Sequence, residues 1–396
     1  VKIALVSLNP GPPAWSDGSR HAAACALAAA LAGAGQEVCV FTQRGDPAQP
    51  ARLTTAGGVC VEQLSSSLGD AADPAPLDAD RFAAQLVARW ELDAPDVVHA
   101  HGWFSGRAAL AAARRLGLPL VQTFGESSSA SPERRGAVAN VGPRAGEDAL
   151  FVRAGDRIVA TSSAEVFELL GLGASPGAIK LIPSGVDLER FRPAERAARS
   201  RTAPFRIATL SGSVADAGVG DVIDALRYLR DVDLLVGLQV SADGPPRLPE
   251  AELETYARGR GMAARVSFTD RIDGAALADF LRSADAVVCT PWHDSTAGVA
   301  LAAMACGLPV IVSAVGALVD VVADGMTGIH VPPRAPRQIA YAVETLKSDP
   351  AFCARLGRFG AERAAARYGW ARIAAETVAV YASIVGRASR AGRSRA

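Results

Sequence analysis

Short apolar runs that alternate with longer Ala- and Leu-rich stretches constrain this chain more than any other feature. Strand-like runs lie at 2–8, 38–42, 59–64, 97–101, 120–124, 158–162 and 179–183, with helical patterns at 20–34, 79–92, 106–116 and 164–170. Parallel strands need long crossovers, so this rhythm predicts βαβ units and a parallel sheet covered on both faces. It restarts after residue 200, with strands at 206–211, 234–240, 266–269, 286–290, 310–313 and 328–331. Helical patterns there fall at 221–229, 249–260, 275–281, 298–305, 315–323 and 335–347. The stretch 190–204, rich in Arg, Ala and Pro, reads as a linker. The expected fold class is α/β: two doubly wound Rossmann-like domains, 1–190 and 200–366, facing each other across an interdomain cleft. The segment 350–385 is helical by pattern, and the basic tail 387–396 reads as disordered.

Composition excludes several classes. In 396 residues, Lys plus Arg and Asp plus Glu are both 41, so no net charge marks a nucleic-acid or anionic-membrane partner. Apolar residues make up 49%, enough for sizeable cores. Cys25, Cys39, Cys60, Cys289, Cys306 and Cys353 lack metal-knuckle spacing, and the five histidines are scattered. No structural zinc and no disulfide are therefore expected. The apolar start, 1–8, is short and runs into Asn9-Pro10-Gly11-Pro12-Pro13, unlike a signal peptide. No apolar stretch reaches the ~20 residues that span a bilayer. A cytoplasmic protein without a transmembrane segment is expected.

Three stretches can carry chemistry. The loop after the first strand holds Gly11, Asp17 and Gly18 before a helix, where glycine lets backbone approach a phosphate. It is not a G-x-G-x-x-G fingerprint, which argues against a dehydrogenase. The strand ending His99-Ala-His101 sends both imidazoles to one face. His101, at the carboxyl end, suits the cleft, with His99 packed behind it; a satisfied core histidine is the alternative. The third stretch, 286–312, reads strand, loop, helix, Gly stop, Pro, strand. Its loop delivers Asp294. Ser295 or Thr296 can cap the helix, and the N–H groups of Thr296, Ala297 and Gly298 would face a phosphate or sugar hydroxyl.

This third stretch, with Ala303-Met-Ala-Cys306-Gly-Leu-Pro309-Val, resembles the donor-binding motif of family 4 retaining glycosyltransferases, which have the GT-B fold. Ile158-Val-Ala-Thr-Ser162 with Pro183-Ser-Gly-Val-Asp187, then Val315-Gly-Ala-Leu-Val-Asp320 and Tyr368-Gly-Trp370, are similar to further family segments, in order. The resemblance implies a metal-independent hexosyltransferase without a cofactor. A nucleotide-diphosphate sugar would bind the second domain at Ser213, Arg271, Asp294, Ser295, Thr296, Ala297 and Gly298. A small-molecule or glycan acceptor would bind the first at Asp17 and Gly18, with Asp294, His101 and Glu126 as catalytic candidates. It also implies that 370–385 crosses back onto the first domain, and it gives Glu147 an acidic family position. Arg271 and Glu147 read equally as surface residues.

Departures accompany the likeness. The family's first Glu is Asp294 and its second falls on Ala302, where a restored Glu is expected to project beside the cleft. The usual Arg and Lys of the second domain's first loop are missing around Ser213, and a usual His is Gly125. Fixed cations are strong stabilisers of a leaving diphosphate. The alternative is therefore a catalytically impaired homologue binding a ligand or partner subunit, or a transferase repurposed for an unusual donor. A homo-oligomer is compatible with either.

Overall fold

The computed structural model describes residues 1–7, 20–44, 50–64, 79–125, 151–194, 203–211, 218–239, 250–272, 276–294 and 296–393. The chain divides into two compact units: one takes in Arg20–Pro183, the strand before it and Ala371–Ala396, the other Ser184–Trp370. The first unit therefore ends at Pro183, ahead of the 190 expected from sequence. Val186 and Phe191 lie in the second unit's core, which ties the start of the Arg-, Ala- and Pro-rich stretch to that unit.

The first unit's strands are β1 (Lys2–Val6), β2 (Glu37–Gln43), β3 (Arg52–Thr54), β4 (Cys60–Leu64), β5 (Val97–His101), β6 (Leu120–Thr123), β7 (Arg157–Ala160) and β8 (Ile179–Leu181). They form one sheet, ordered β3-β4-β2-β1-β5-β6-β7-β8. All neighbours are parallel except β3, which pairs antiparallel with β4. Three residues folding back through Gly57-Gly58 leave no apolar run, which is why β3 escaped the sequence pattern. Helices α1 (Arg20–Gly33), α2 (Ala79–Leu92), α3 (Trp103–Leu116) and α4 (Ser163–Gly171) are the crossovers. Phe82, Leu86 and Trp90 of α2 bury one helical face with Ala108, Ala109 and Ala112 of α3.

The second unit's strands are β9 (Phe205–Ser211), β10 (Val232–Gln239), β11 (Val266–Ile272), β12 (Ala286–Cys289), β13 (Val310–Ser313) and β14 (Ile329–Val331). Their order, β11-β10-β9-β12-β13-β14, is wholly parallel and doubly wound. The helices are α5 (Val219–Ala225), α6 (Glu250–Gly259), α7 (Leu277–Arg282), α8 (Gly298–Ala305), α9 (Gly316–Val321), α10 (Pro336–Ser348) and α11 (Pro350–Arg367). Pro opens both α10 and α11 in the first turn, where its missing N–H costs nothing.

The last helix, α12 (Trp370–Arg393), belongs to the first unit from Ala371 onward. Ile373, Ala374, Thr377, Tyr381 and Ile384 are its buried stripe, at helical spacing. The tail expected to be disordered at 387–396 is helical as far as Arg393. Ala and Arg are good helix formers and no Pro interrupts them.

In each sheet the winding reverses once, between β1 and β5 in the first unit and between β9 and β12 in the second. Ligands of open α/β sheets bind outside the carboxyl ends of strands at such a reversal. His101 ends β5, and Asp294 follows β12.

Candidate active site

In the first unit, β5 runs between two parallel neighbours, and alternation puts His99 and His101 on one face. His99 is 1% exposed. Its Nδ1 lies 2.6 Å from Tyr381 Oη and its Nε2 2.9 Å from Thr123 Oγ1. Burial, reinforced by His101, holds its protonation well below the ordinary imidazole range. A neutral ring fits these partners, donating from one nitrogen and accepting at the other. His101 is half-buried at the strand end, its ring 4.3 Å from that of His99. The chain then turns through Gly102 at φ 85°, a left-handed conformation that favours glycine. The Gln122 amide fixes this turn by donating to the Gly102 carbonyl at 3.1 Å.

Sequence reasoning missed Glu165, on the first turn of α4. Its buried carboxylate accepts from Thr161 N at 2.6 Å, from Thr161 Oγ1 at 2.7 Å and from the Gly125 N–H. Ser162 Oγ in turn accepts from Glu165 N at 3.1 Å. Burial raises the carboxyl to about 7, against the lowering effect of those hydrogen bonds. The signal was present as the Ser162-x-x-Glu165 capping pattern. Glu165 thus holds Gly125, at the carboxyl end of β6, where the family usually has a histidine.

In the second unit, three loops converge at the strand ends. Gly218, at φ 71°, opens α5 so close to β12 that a Cβ would sit 1.9 Å from Thr290 O. Gly316, at φ 49°, opens α9 where a Cβ would meet Asp294 O at 1.8 Å. Ala317 N donates to that same Asp294 carbonyl at 2.9 Å, and Ser313 Oγ donates to Pro291 O at 2.5 Å. Trp292 Nε1 donates to Asp221 on α5 at 3.1 Å. The Arg334 guanidinium stacks over the Trp292 ring, 3.7 Å from its centroid.

Asp294 Oδ1 accepts from Thr296 N at 2.9 Å and from Ala297 N at 2.5 Å. This corrects two expectations. The side chain that ties the loop into α8 is Asp294, and Ala297, the residue before the helix, caps it with no side-chain bond. Of the three N–H groups expected to face a ligand, those of Thr296 and Ala297 are donated to Asp294. A third correction concerns Ala302, which is 3% exposed within the apolar core of α8. A Glu there would enter the core rather than project beside a cleft. Asp17, Gly18, Glu126, Glu147, Ser213 and Ser295 lie outside the described residues, as does the side chain of Arg271 at the end of β11.

Two doubly wound sheets, parallel apart from β3, each with polar residues at its winding reversal, are the architecture of the GT-B fold. The comparisons place the chain within it. Residues 22–190 match the model of Glycosyltransferase Family 4, and residues 206–349 that of Glycosyl transferases group 1. D-inositol 3-phosphate glycosyltransferase 2 of Catenulispora acidiphila is 32% identical, covering 96% of this chain and 94% of its own. D-inositol 3-phosphate glycosyltransferase of Kineococcus radiotolerans is 34% identical over the same shares. Among solved structures, sucrose-phosphate synthase from Thermosynechococcus elongatus superimposes with a TM-score of 0.82 at 24% identity, over 97% of this chain and 99% of that one. Anabaena HepE in complex with UDP-glucose gives 0.73 at 18%, over 96% and 99%. The chain belongs to glycosyltransferase family 4 and is a glycosyltransferase. Among the described residues, no helix is long and apolar enough to cross a membrane.

Proposed function

We propose that this chain moves a hexosyl group, with retention and without a metal, from a nucleoside-diphosphate sugar to a phosphorylated cyclitol. The relatives' name, D-inositol 3-phosphate glycosyltransferase, supports that acceptor class. The observation that carries the donor assignment is Asp294, fixed by two backbone N–H groups at the winding reversal of the second sheet. A carboxylate offers about four acceptor positions, so one so anchored can still take sugar hydroxyls. The Ser213 loop, Arg271 and the start of α8 complete the donor side in this reading. Arg334, held on Trp292, brings a cation to the loops at the carboxyl ends of the second sheet. The acceptor side is formed by Asp17, Gly18, His101 and Glu126. His101 is oriented from behind by a neutral His99 that Tyr381 and Thr123 lock in place.

The test is calorimetric titration of the full chain with UDP, GDP and ADP. The matching nucleotide sugar is then incubated with inositol 3-phosphate, and product mass and nucleotide release are followed. Saturable binding of one nucleotide and a product heavier by one hexosyl unit are expected. Silence towards all three nucleotides would overturn the donor site. The buried Ala302, which offers no carboxylate to a ribose, favours a second reading, a homologue that binds without transferring. Nucleotide binding with no transfer to inositol 3-phosphate or other polyols would establish it.

A further inference from the structure

Cys39 and Cys60 are 21 residues apart in sequence, and the parallel register of β2 and β4 sets them side by side. Their sulfur atoms are 2.8 Å apart, with the Cys39 S–H donating to Cys60. They lie towards the amino ends of their strands, whereas His101 lies at the carboxyl end of β5. A cavity of about 270 Å³ is lined by both cysteines and by Arg52, Glu62, Arg89 and Trp90. Glu62 is the third group near enough to complete a metal-ligand set. Arg89 grips that carboxylate with two hydrogen bonds, at 2.7 and 2.8 Å, and Arg52 stands 3.5 Å from it. Two guanidiniums beside the sulfurs oppose a metal cation and favour a thiolate. The hydrogen bond from Cys39, with Arg52 adding to it, draws Cys60 down to about 6; the same bond and burial push Cys39 up.

We propose that Cys39 and Cys60 form a redox-active dithiol that a hydroperoxide converts into a disulfide between β2 and β4. The Cys60 thiolate attacks one peroxide oxygen. The O–O bond breaks, leaving Cys60 as sulfenic acid and releasing hydroxide (or alkoxide). Cys39 then attacks the Cys60 sulfur, the S–S bond forms, and the sulfenic oxygen leaves with the Cys39 proton as water. Two thiols are oxidised by two electrons, and one peroxide is reduced. Closing the bond to its ordinary ~2.05 Å needs only ~0.8 Å of further approach. A dithiol reductant reverses the step by thiol–disulfide exchange and restores both cysteines.

The experiment uses the full chain at pH 7 with hydrogen peroxide as the probe. Before oxidation, iodoacetamide should label Cys60 roughly ten-fold faster than the half-buried Cys353, because the thiolate is the nucleophile. After oxidation, non-reducing peptide mass mapping should find the Cys39 peptide joined to the Cys60 peptide, with the other four of the six thiols free. Dithiothreitol should restore all six. In Cys39→Ser, Cys60 should stop at sulfenic acid, captured by dimedone; Arg52→Gln should slow its labelling several-fold. The wild-type map alone decides the matter if a variant fails to fold. Six free thiols after peroxide, or Cys60 reacting no faster than Cys353, would overturn the proposal.

Discussion

Replacing Asp294 by Ala removes the oxygen that the Thr296 and Ala297 N–H groups share, as well as the charge assigned to the donor. Two losses should follow together. Loss of a helix-entry cap of this kind costs roughly 1–2 kcal/mol, which lowers the melting temperature by roughly 2–4 °C per kcal/mol. Donor affinity should fall roughly ten- to hundred-fold, as hydrogen bonds to a charged group are worth about 1.5–3 kcal/mol. Asp294→Asn separates the two, because its amide oxygen can still accept from both N–H groups. Melting and nucleotide titration of the two variants check this. The expected result is near-normal stability for Asn with weakened donor binding, and loss of both for Ala. An Asp294→Asn protein that binds donor normally would remove Asp294 from the donor site.

At the scale of elements, the start of α4 should give the protein a pH-dependent stability. Glu165 titrates near its ordinary 4.5 when unfolded and at about 7 when folded. The folded state therefore holds the proton more tightly. This contribution is complete below 4.5 and is lost as pH rises through 7. The gap corresponds to roughly 3 kcal/mol at most. Glu165→Gln should flatten the fall in unfolding free energy between those pH values, measured by urea denaturation across that range; an unchanged slope would assign it to other groups. The element pattern itself was largely legible, because buried parallel strands read as apolar runs and their crossovers as helices. What was illegible depended on contacts distant in sequence. Nothing local says that Ala302 is buried or that Cys39 faces Cys60. Those follow from register and close packing, with Gly218 and Gly316 leaving no room for a side chain.

At the scale of the whole molecule, the chain enters the first unit, leaves it at Pro183, builds the second and returns at Ala371. The crossing is fixed within the second unit. Val186 N donates to Tyr368 O at 2.7 Å, and Gly185 is bare of a side chain because a Cβ would meet the Trp370 ring at 2.4 Å. The returning helix α12 then places Tyr381, fully buried, against His99. The last segment of the chain thus completes the core behind His101, although 282 residues separate Tyr381 from His99. Tyr381→Ala should remove the ring and leave His99 without that partner, costing about 3–5 kcal/mol as other buried aromatic truncations do. That cost should fall on the first unit. Calorimetric melting with and without saturating nucleotide distinguishes the units, since a ligand raises the transition of the unit that binds it. In wild type, nucleotide should raise the second unit's transition. In Tyr381→Ala, the other transition should drop while the nucleotide-sensitive one stays in place. A single transition that shifts as a whole in both experiments would show that the units unfold as one cooperative block, with α12 stabilising both.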